Sequence, residues 1–130
     1  MESATPTTLR QLVERYWEVM NTNDYTAVGA LFHDEFTLDW PQSGERIRGR
    51  ANFAAINANY PLPGPWRFTI QRLLTDEREA ATVVSVAAPQ FNGPVVTFFE
   101  FRDGLIYRMQ EYWPDSFPAT PDRAQWVERI

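Results

Sequence analysis

The sequence predicts an α+β fold in which helices come first and a largely antiparallel sheet follows. Apolar residues recur at helical spacing in the first half of the 130-residue chain, whereas alternating strands dominate from Trp66 onward. An Asp103-Gly104 pair between the last two strands is typical of a tight hairpin turn. This segregation of helices from strands favours α+β over alternating α/β. We expect one domain, residues 1–130, with a single core.

Three helices are expected from their start and stop signals. Thr5-Pro6 favours an N-cap followed by proline at the first helical position, and Asp24 favours the N-cap of a short second helix. Pro61 ends the third helix. The expected helices cover residues 6–21, 25–32 and 50–60.

Six strands are expected from alternating apolar residues bounded by turn residues. Pro41 ends the first strand, and Gln42-Ser43-Gly44 forms a turn before a short second strand. Four longer strands follow the proline-rich loop 61–65. The expected strands cover residues 35–40, 46–48, 66–75, 79–88, 95–102 and 105–113.

Glu111 stands out because it interrupts the apolar face of the last strand. If the Asp-Gly turn fixes a regular hairpin register, Glu111 lies opposite Val96, with Phe98, Met109 and Trp113 on the same face. Burial of an ionised carboxylate is costly unless the group is paired or its pKa rises until it is protonated. We therefore interpret Glu111 as part of a functional pocket, the alternatives being a solvated strand end or a pair with an arginine.

The opposite face of this hairpin is too apolar in part for a fully solvated sheet. We expect a second copy of the chain to cover it, giving a homodimer through the outer sheet face. In the regular register this face carries Thr97, Phe99, Phe101, Ile106, Arg108, Gln110 and Tyr112.

Composition excludes several classes of chemistry. A net charge of −5 argues against nucleic-acid and membrane partners that need basic patches. The chain has no cysteine, all of its basic residues are arginine, and His33 is the only histidine. Thiol nucleophiles and Schiff-base lysines are thus excluded, and a metal site is not expected. The scattered glycines form no phosphate loop, so no cofactor is expected. Without a signal sequence or apolar span, we expect a cytoplasmic protein.

Several short sequence motifs along the chain resemble those of the nuclear transport factor 2-like superfamily, in particular its SnoaL-like polyketide cyclase and ketosteroid isomerase branch. Their order and spacing, rather than any one of them, carry the resemblance. The motifs are Glu14-Arg15-Tyr16, Asn21 to Tyr25 followed by Ala30-Leu31-Phe32, Asp39-Trp40-Pro41, Arg48-Gly49-Arg50, Phe101 to Ile106 and Glu111-Tyr112-Trp113.

The resemblance implies a cone-shaped fold, with three helices packed on a curved sheet around an apolar cavity, and usually a homodimer. It constrains function less, because this fold hosts isomerases, cyclases, dehydratases, epoxide hydrolases and binding domains.

Single residues of the ketosteroid isomerases match this chain only in part. Tyr16 matches the helix-one tyrosine that donates a hydrogen bond to the substrate oxyanion, although a core tyrosine is the alternative. In the ketosteroid isomerases, the catalytic aspartate directly precedes the proline that matches Pro41. This chain has Trp40 at that position, and Asp39 lies one position earlier. Because strand side chains alternate, Asp39 points away from the pocket unless a bulge in the strand turns it inward. If Asp39 points away from the pocket, a pair with Arg46 or Arg48 is the alternative. The second oxyanion donor of the ketosteroid isomerases is a carboxylic acid, and its position matches Phe98 in this chain. This difference argues against true ketosteroid isomerisation.

These observations predict a cofactor-independent acid–base enzyme that acts on a small hydrophobic carbonyl or hydroxy compound. The predicted catalytic residues are Glu111, Asp39 and Tyr16. The predicted ligand-binding residues are Trp17, Trp40, Phe53, Phe98, Met109 and Trp113. Two alternatives remain open. The first is an epoxide or lactone hydrolase, in which carboxylates, an arginine and an amide such as Asn57 activate water, and which two carboxylates bracketing one arginine in the cavity would support. The second is a non-catalytic, ligand-binding dimeric domain in which an arginine neutralises Glu111.

Overall fold

The structure, a computed structural model, describes residues 8–115 and 118–130. Its helices are α1 (Leu9–Met20), α2 (Tyr25–Val28) and α3 (Gly49–Ala58), with 3-10 turns at Gly29–Leu31 and Pro121–Trp126. Its strands are β1 (Phe32–Trp40), β2 (Glu45–Arg48), β3 (Arg67–Thr75), β4 (Glu79–Ala88), β5 (Phe91–Arg102) and β6 (Leu105–Tyr112). None of the helices in the described part of the chain is long and apolar enough to cross a membrane.

The six strands form one curved sheet in the order β2-β1-β6-β5-β4-β3. All neighbouring strands are antiparallel except β1 and β6, which are parallel. The expected α+β class and the largely antiparallel sheet are therefore confirmed. The helices cover one face of the sheet, and the core lies between them.

Two helix boundaries differ from those expected. The N-cap of α1 is Thr8, whose hydroxyl accepts from the backbone N–H of Gln11, while the Gln11 side chain accepts from the backbone N–H of Thr8. This reciprocal capping box fixes the start of the helix; the expected cap Thr5-Pro6 lies outside the described residues. Asp24 caps α2 as expected, but the chain is already a strand at Phe32.

Side-chain amides from the segment after α1 complete the free edge of β3. Asn21 donates to the Phe68 carbonyl at 2.8 Å and accepts from the Phe68 N–H at 2.6 Å. Asn23 makes the same pair of bonds with Trp66, at 2.7 and 2.8 Å. The two side chains thus stand in for a neighbouring strand, and they tie the end of α1 to the far edge of the sheet.

The final hairpin confirms the turn but not the register. Asp103 and Gly104 both have positive φ angles, 55° and 73°, as a type I′ turn requires. The pairing then shifts by one residue between Glu100 and Phe101, because Tyr107 is an extra residue in β6. This β-bulge places Glu111 opposite Thr97, so the expected pairing with Val96 is wrong.

The bulge also exchanges the two faces of β5. Val95, Thr97 and Phe99 are buried beneath the helices, whereas Phe98 is 47% exposed on the outer face. Side chains along β5 still alternate between the two faces of the sheet, but each one points to the face opposite to that expected from a regular hairpin. The expected placement of Thr97, Phe99 and Ile106 on the outer face is accordingly wrong, because all three are buried. Arg108 and Gln110, expected on the same face, are exposed there.

Candidate active site

An apolar cavity lies between the helices and the inner face of the sheet. Aromatic rings make up most of its wall, and one carboxylate, Glu111, reaches it. The lining residues are Tyr16, Trp17, Met20, Tyr25, Leu38, Trp40, Ile47, Phe53, Asn57, Tyr60, Trp66, Phe68, Val86, Val95, Glu111 and Trp113.

The cavity is small in this conformation. The centres of water-sized molecules can occupy about 30 Å³ of it, which is room for about two waters. A wider groove, about 660 Å³ on the same measure, lies outside it and shares three of its residues, Trp40, Tyr60 and Trp113. These three rings therefore form the partition between the inner cavity and the outer groove.

Glu111 is only 6% exposed and accepts three hydrogen bonds. The indole N–H groups of Trp40 and Trp113 both donate to its Oε1, at 3.1 and 3.0 Å. The Thr97 hydroxyl donates to its Oε2 at 3.2 Å. An indole N–H can only donate, so these two bonds favour a carboxylate oxygen that carries no proton.

Burial and hydrogen bonding act on Glu111 in opposite directions. Removal from water raises the pKa of the Glu111 carboxyl, while the bonds from Trp40, Trp113 and Thr97 lower it. Burial is the larger effect, so the pKa is raised above the ordinary value for glutamate. A carboxyl group shifted in this direction is suited to exchange protons nearer neutral pH.

Tyr16 presents the second polar group of the cavity. Its ring belongs to the core and packs edge-on against Trp17 and Phe99. Within residues 8–115 and 118–130, no hydrogen bond to its hydroxyl is found, although the residue is only 1% exposed. Burial raises the pKa of Tyr16 well above its ordinary range, and the charge of Glu111 raises it further. The hydroxyl therefore stays protonated and is available to donate to a ligand.

Gln42, in the turn after β1, holds the partition in place. Its side-chain amide donates to the Trp113 carbonyl at 2.8 Å and accepts from the Trp113 N–H at 2.7 Å. The same amide group donates to Asp115 at 3.2 Å. These bonds continue the pairing of β1 with β6 beyond the last strand residue, and they fix the backbone from which the Trp113 indole reaches Glu111.

Asp39 does not reach the cavity. It lies on β1 between Leu38 and Trp40, which line the cavity, so alternation turns it to the outer face. There the Arg46 guanidinium donates to both of its carboxylate oxygens, at 2.6 and 2.9 Å. This hydrogen bonding lowers the pKa of Asp39. Its placement in the pocket is therefore corrected, and the alternative pair with Arg46 is the one observed.

Two expected ligand contacts are also corrected. Phe98 faces outward because of the bulge at Tyr107, which a regular hairpin register does not contain. Met109 is buried, but it packs in the core beneath β6 and does not line the cavity. The other expected residues do line it, namely Tyr16, Trp17, Trp40, Phe53, Glu111 and Trp113.

Sequence reasoning missed Thr97 and the far wall of the cavity. Thr97 was assigned to the outer face because the bulge carries no clear local signal. Tyr25, Tyr60 and Trp66 come from the short helix α2 and from the loop between α3 and β3, where periodicity does not indicate direction. Asn57 on α3, the amide named for the hydrolase alternative, does line the cavity. Its side-chain N–H donates to the Phe53 carbonyl at 2.8 Å, and no donor to its side-chain oxygen is found among the described residues.

No group of three or more His, Cys, Asp or Glu side chains is placed to hold a metal ion anywhere in the part of the chain that the structure describes. Among the described residues, the polar groups of the cavity wall are one carboxyl group, the hydroxyl groups of three tyrosines, four indole N–H groups and one amide.

Comparison with known families decides the relationship of this chain. The SnoaL-like domain family matches residues 13–109. The chain belongs to this family. The SnoaL-like fold is the expected nuclear transport factor 2-like cone, with helices packed on a six-stranded curved sheet.

Solved structures agree with this assignment. A candidate ketosteroid isomerase from Kribbella flavida is 34% identical, with a TM-score of 0.84 over 93% of this chain and 88% of that one. A nuclear transport factor 2-like protein of unknown function from Burkholderia xenovorans is 30% identical, with a TM-score of 0.75 over 93% and 94%. An epoxide hydrolase from M. tuberculosis, 21% identical with a TM-score of 0.62 over 78% and 79%, shares the fold. Among curated proteins, none matches this chain.

Proposed function

We propose that this SnoaL-like protein is a cofactor-independent enzyme that transfers a proton on a small hydrophobic carbonyl or hydroxy compound, as an isomerase, cyclase or dehydratase does. One observation carries the proposal: Glu111 is a buried carboxyl group with a raised pKa, in a cavity that is also lined by Tyr16, whose hydroxyl has no hydrogen-bond partner among the described residues. A base of this kind and a hydrogen-bond donor are the two groups that removal of a proton next to a carbonyl requires.

The hydrogen bonds of Glu111 divide the work between its two oxygens. Oε1 accepts from both indoles, which occupies its two lone pairs. Among the described residues, Oε2 accepts from Thr97 alone, which leaves one of its lone pairs for a substrate proton. In the proposed reaction Oε2 takes the proton from carbon, Tyr16 donates to the oxygen that becomes negative, and Glu111 returns the proton to another position.

The apolar wall supports a small, uncharged reacting group. Nine of its sixteen lining residues are aromatic and most of the others are apolar, so few water molecules surround the reacting group, and this strengthens the hydrogen bond from Tyr16 to a developing oxyanion. The cavity holds about 30 Å³ for water-sized centres, so a larger substrate requires movement of the partition Trp40, Tyr60 and Trp113. The Kribbella flavida relative, described as a candidate ketosteroid isomerase, supports chemistry of this type.

Neither alternative gains comparable support. Hydrolysis of an epoxide or lactone was expected to need two carboxylates around one arginine, and among the described residues the cavity wall contains one carboxylate and no arginine. The binding-domain alternative expected an arginine to neutralise Glu111, whereas neutral indole and hydroxyl groups contact it.

The experiment is exchange of hydrogen for deuterium next to a carbonyl, followed by proton NMR in D₂O with a panel of small ketones and enones such as cyclopentanone and cyclohexenone. The wild type should accelerate exchange of at least one compound over buffer. Glu111→Gln should lower that rate by about 10²–10⁴-fold, and Tyr16→Phe by about 10²–10³-fold. Asp39→Asn is the matched control and should leave the rate unchanged. An equal rate in wild type and Glu111→Gln would overturn the proposal.

We also propose that two copies pair through the outer sheet face. Large apolar side chains lie on this face: Phe98 is 47% exposed and Leu74 69% exposed. Phe98 packs edge-on against Tyr112 of the adjacent strand, with ring centroids 6.3 Å apart. Rings grouped on the exposed side of a sheet are typical of a surface that a partner covers.

A further inference from the structure

We propose that the inner cavity also binds small quaternary or tertiary ammonium ions, with the charged nitrogen close to Glu111 and its methyl groups against the aromatic wall. This ligand class differs in charge from the neutral carbonyl compounds of the proposed reaction. The inference therefore does not depend on that reaction.

Charge balance in the cavity favours a cation. Glu111 is the one carboxylate among the described lining residues, and none of those residues is an arginine. Its three hydrogen-bond donors, Trp40, Trp113 and Thr97, are all neutral. The donors stabilise the negative charge without cancelling it, so an ionised Glu111 leaves the cavity with a net charge of −1. A cation that enters would form its ion pair away from water, where attraction is strongest.

The wall is built mainly of groups that attract cations through their ring faces. Nine of the sixteen lining residues are aromatic, and four of these are tryptophan, whose ring attracts cations most strongly. The rings near the partition also differ in orientation. Tyr60 and Trp113 are nearly parallel, at 16°, while Trp66 stands at 89° to Tyr60 and 86° to Trp113. Rings at right angles present faces and edges along more than one direction of a compact ligand.

The inner cavity and the outer groove together fit this class. The 30 Å³ open to water-sized centres is room for about two waters, so a trimethylammonium head group, with four non-hydrogen atoms, enters with a small outward movement of the partition. The outer groove beyond the partition is lined by polar side chains that include Gln42, Ser43 and Asn59, together with Glu45 and Asp115, and by no basic residue among those described. A short polar substituent on the nitrogen can therefore extend into the groove, whose carboxylates favour the approach of a cation.

The test compares choline with 3,3-dimethylbutan-1-ol, which differs from choline only by carbon in place of the charged nitrogen. Binding of each is measured by calorimetry and by tryptophan fluorescence, because four tryptophans line the cavity. Choline should bind the wild type at least about tenfold more tightly than the neutral alcohol, since cation–π and ion-pair attraction act on choline alone. Equal binding of the two compounds, or no binding of choline, would overturn the inference.

Two matched variants locate the effect. Glu111→Gln should reduce the preference for choline to within about twofold, because the Coulomb attraction inside the cavity is lost. A circular dichroism spectrum and a urea-denaturation midpoint close to those of the wild type report that the variant is folded. Glu45→Gln removes an equal charge from the outer groove and should keep most of the preference. A preference retained in Glu111→Gln would contradict the assignment of the cation to this carboxylate.

The result separates the two proposals. Choline binding without deuterium exchange of any ketone would remove the proposed enzyme function and keep the ammonium site. Deuterium exchange without a preference for choline would remove the ammonium site and keep the proposed enzyme function. If both hold, choline should slow the exchange, because it occupies the position next to Glu111.

Discussion

At the scale of single residues, Glu111 concentrates two opposing effects in one group. Burial at 6% exposure disfavours its charge, while three donors at 3.0 to 3.2 Å favour it. The outcome is a carboxyl group whose pKa is raised, but less than burial alone would raise it. Such a balance keeps both protonation states accessible, and that is what proton transfer requires.

The raised pKa of Glu111 has a consequence for stability. The folded protein holds this proton more tightly than the unfolded chain does, so stability falls as pH rises from the unfolded pKa, about 4.3, through the folded pKa. Glu111→Gln removes this titration. The free energy of unfolding of the wild type, measured by urea denaturation across this pH range, should therefore fall relative to Glu111→Gln as pH rises. A difference between the two that stays constant with pH would contradict the raised pKa.

The indole bonds can be tested one at a time. Trp113→Phe keeps a ring in the wall but removes one N–H from Oε1 of Glu111. Since hydrogen bonds to a charged group stabilise it, the pKa of Glu111 should rise further when this bond is lost. Carbon-detected NMR titration of the Glu111 carboxyl measures this shift. Trp66→Phe is the control: Trp66 lines the same cavity and makes no hydrogen bond to Glu111, so the same shift in both variants would contradict the account.

Much of the site was predictable from residue chemistry. Glu111 was identified because a carboxylate on an apolar strand face is rare, and Tyr16, Trp17, Trp40 and Trp113 because alternation and helical spacing place them inward. Thr97 was not identified, since its direction depends on a bulge ten residues away.

At the scale of elements, side-chain amides extend the backbone pairing of the sheet at two places. Asn21 and Asn23 pair with Phe68 of the edge strand β3 and with Trp66 just before it, and Gln42 pairs with Trp113 just after β6. These bonds connect helices and turns to the sheet, so they determine how the elements enclose the cavity. Sequence alone indicates turn residues at these positions but not the backbone groups that they contact.

Asn21 provides a stability test of this connection. Asn21→Ala removes both bonds to Phe68 and leaves the Phe68 N–H and carbonyl without these partners, so it should lower the free energy of unfolding by about 1–3 kcal/mol. Asn59→Ala is the control, because Asn59 makes one exposed bond to its own helix, and it should change stability by about 0.5 kcal/mol or less. Urea denaturation measures both. An equal loss of unfolding free energy in the two variants would show that the bonds from Asn21 to β3 do not stabilise the fold more than the exposed bond of Asn59 does.

The bulge at Tyr107 explains why the element boundaries were predicted better than the faces. The strands β3, β4 and β6 lie within one residue of their expected ranges, and the Asp103-Gly104 turn has the expected geometry, whereas β5 begins at Phe91, four residues earlier than expected. One extra residue in β6 then exchanges the inner and outer faces of β5. Tyr107 contacts His33 edge-on and lies against the guanidinium of Arg102. These are tertiary contacts, and no local pattern in the sequence indicates them.

At the scale of the whole molecule, the outer sheet face should determine the oligomeric state. Phe98→Glu places a charge on this face and should convert the proposed dimer to a monomer in sedimentation velocity experiments, because burial of an unpaired charge is costly. Val127→Glu is the matched control, since Val127 in the C-terminal tail is 48% exposed and Phe98 is 47% exposed. A dimer that survives Phe98→Glu, or a wild type that is monomeric, would contradict this proposal.

The proposed reaction depends on Glu111 being a buried acid–base group, and a measurement of the pKa of its carboxyl group tests this most directly. Carbon-detected NMR titration of the wild type, with the resonance assigned by its absence in Glu111→Gln, gives the value. The account predicts a pKa clearly above the ordinary glutamate value of about 4.3, because burial outweighs the bonds from Trp40, Trp113 and Thr97. A pKa at or below that value would mean that the carboxylate is stably ionised, and it would contradict the proposed role in proton transfer.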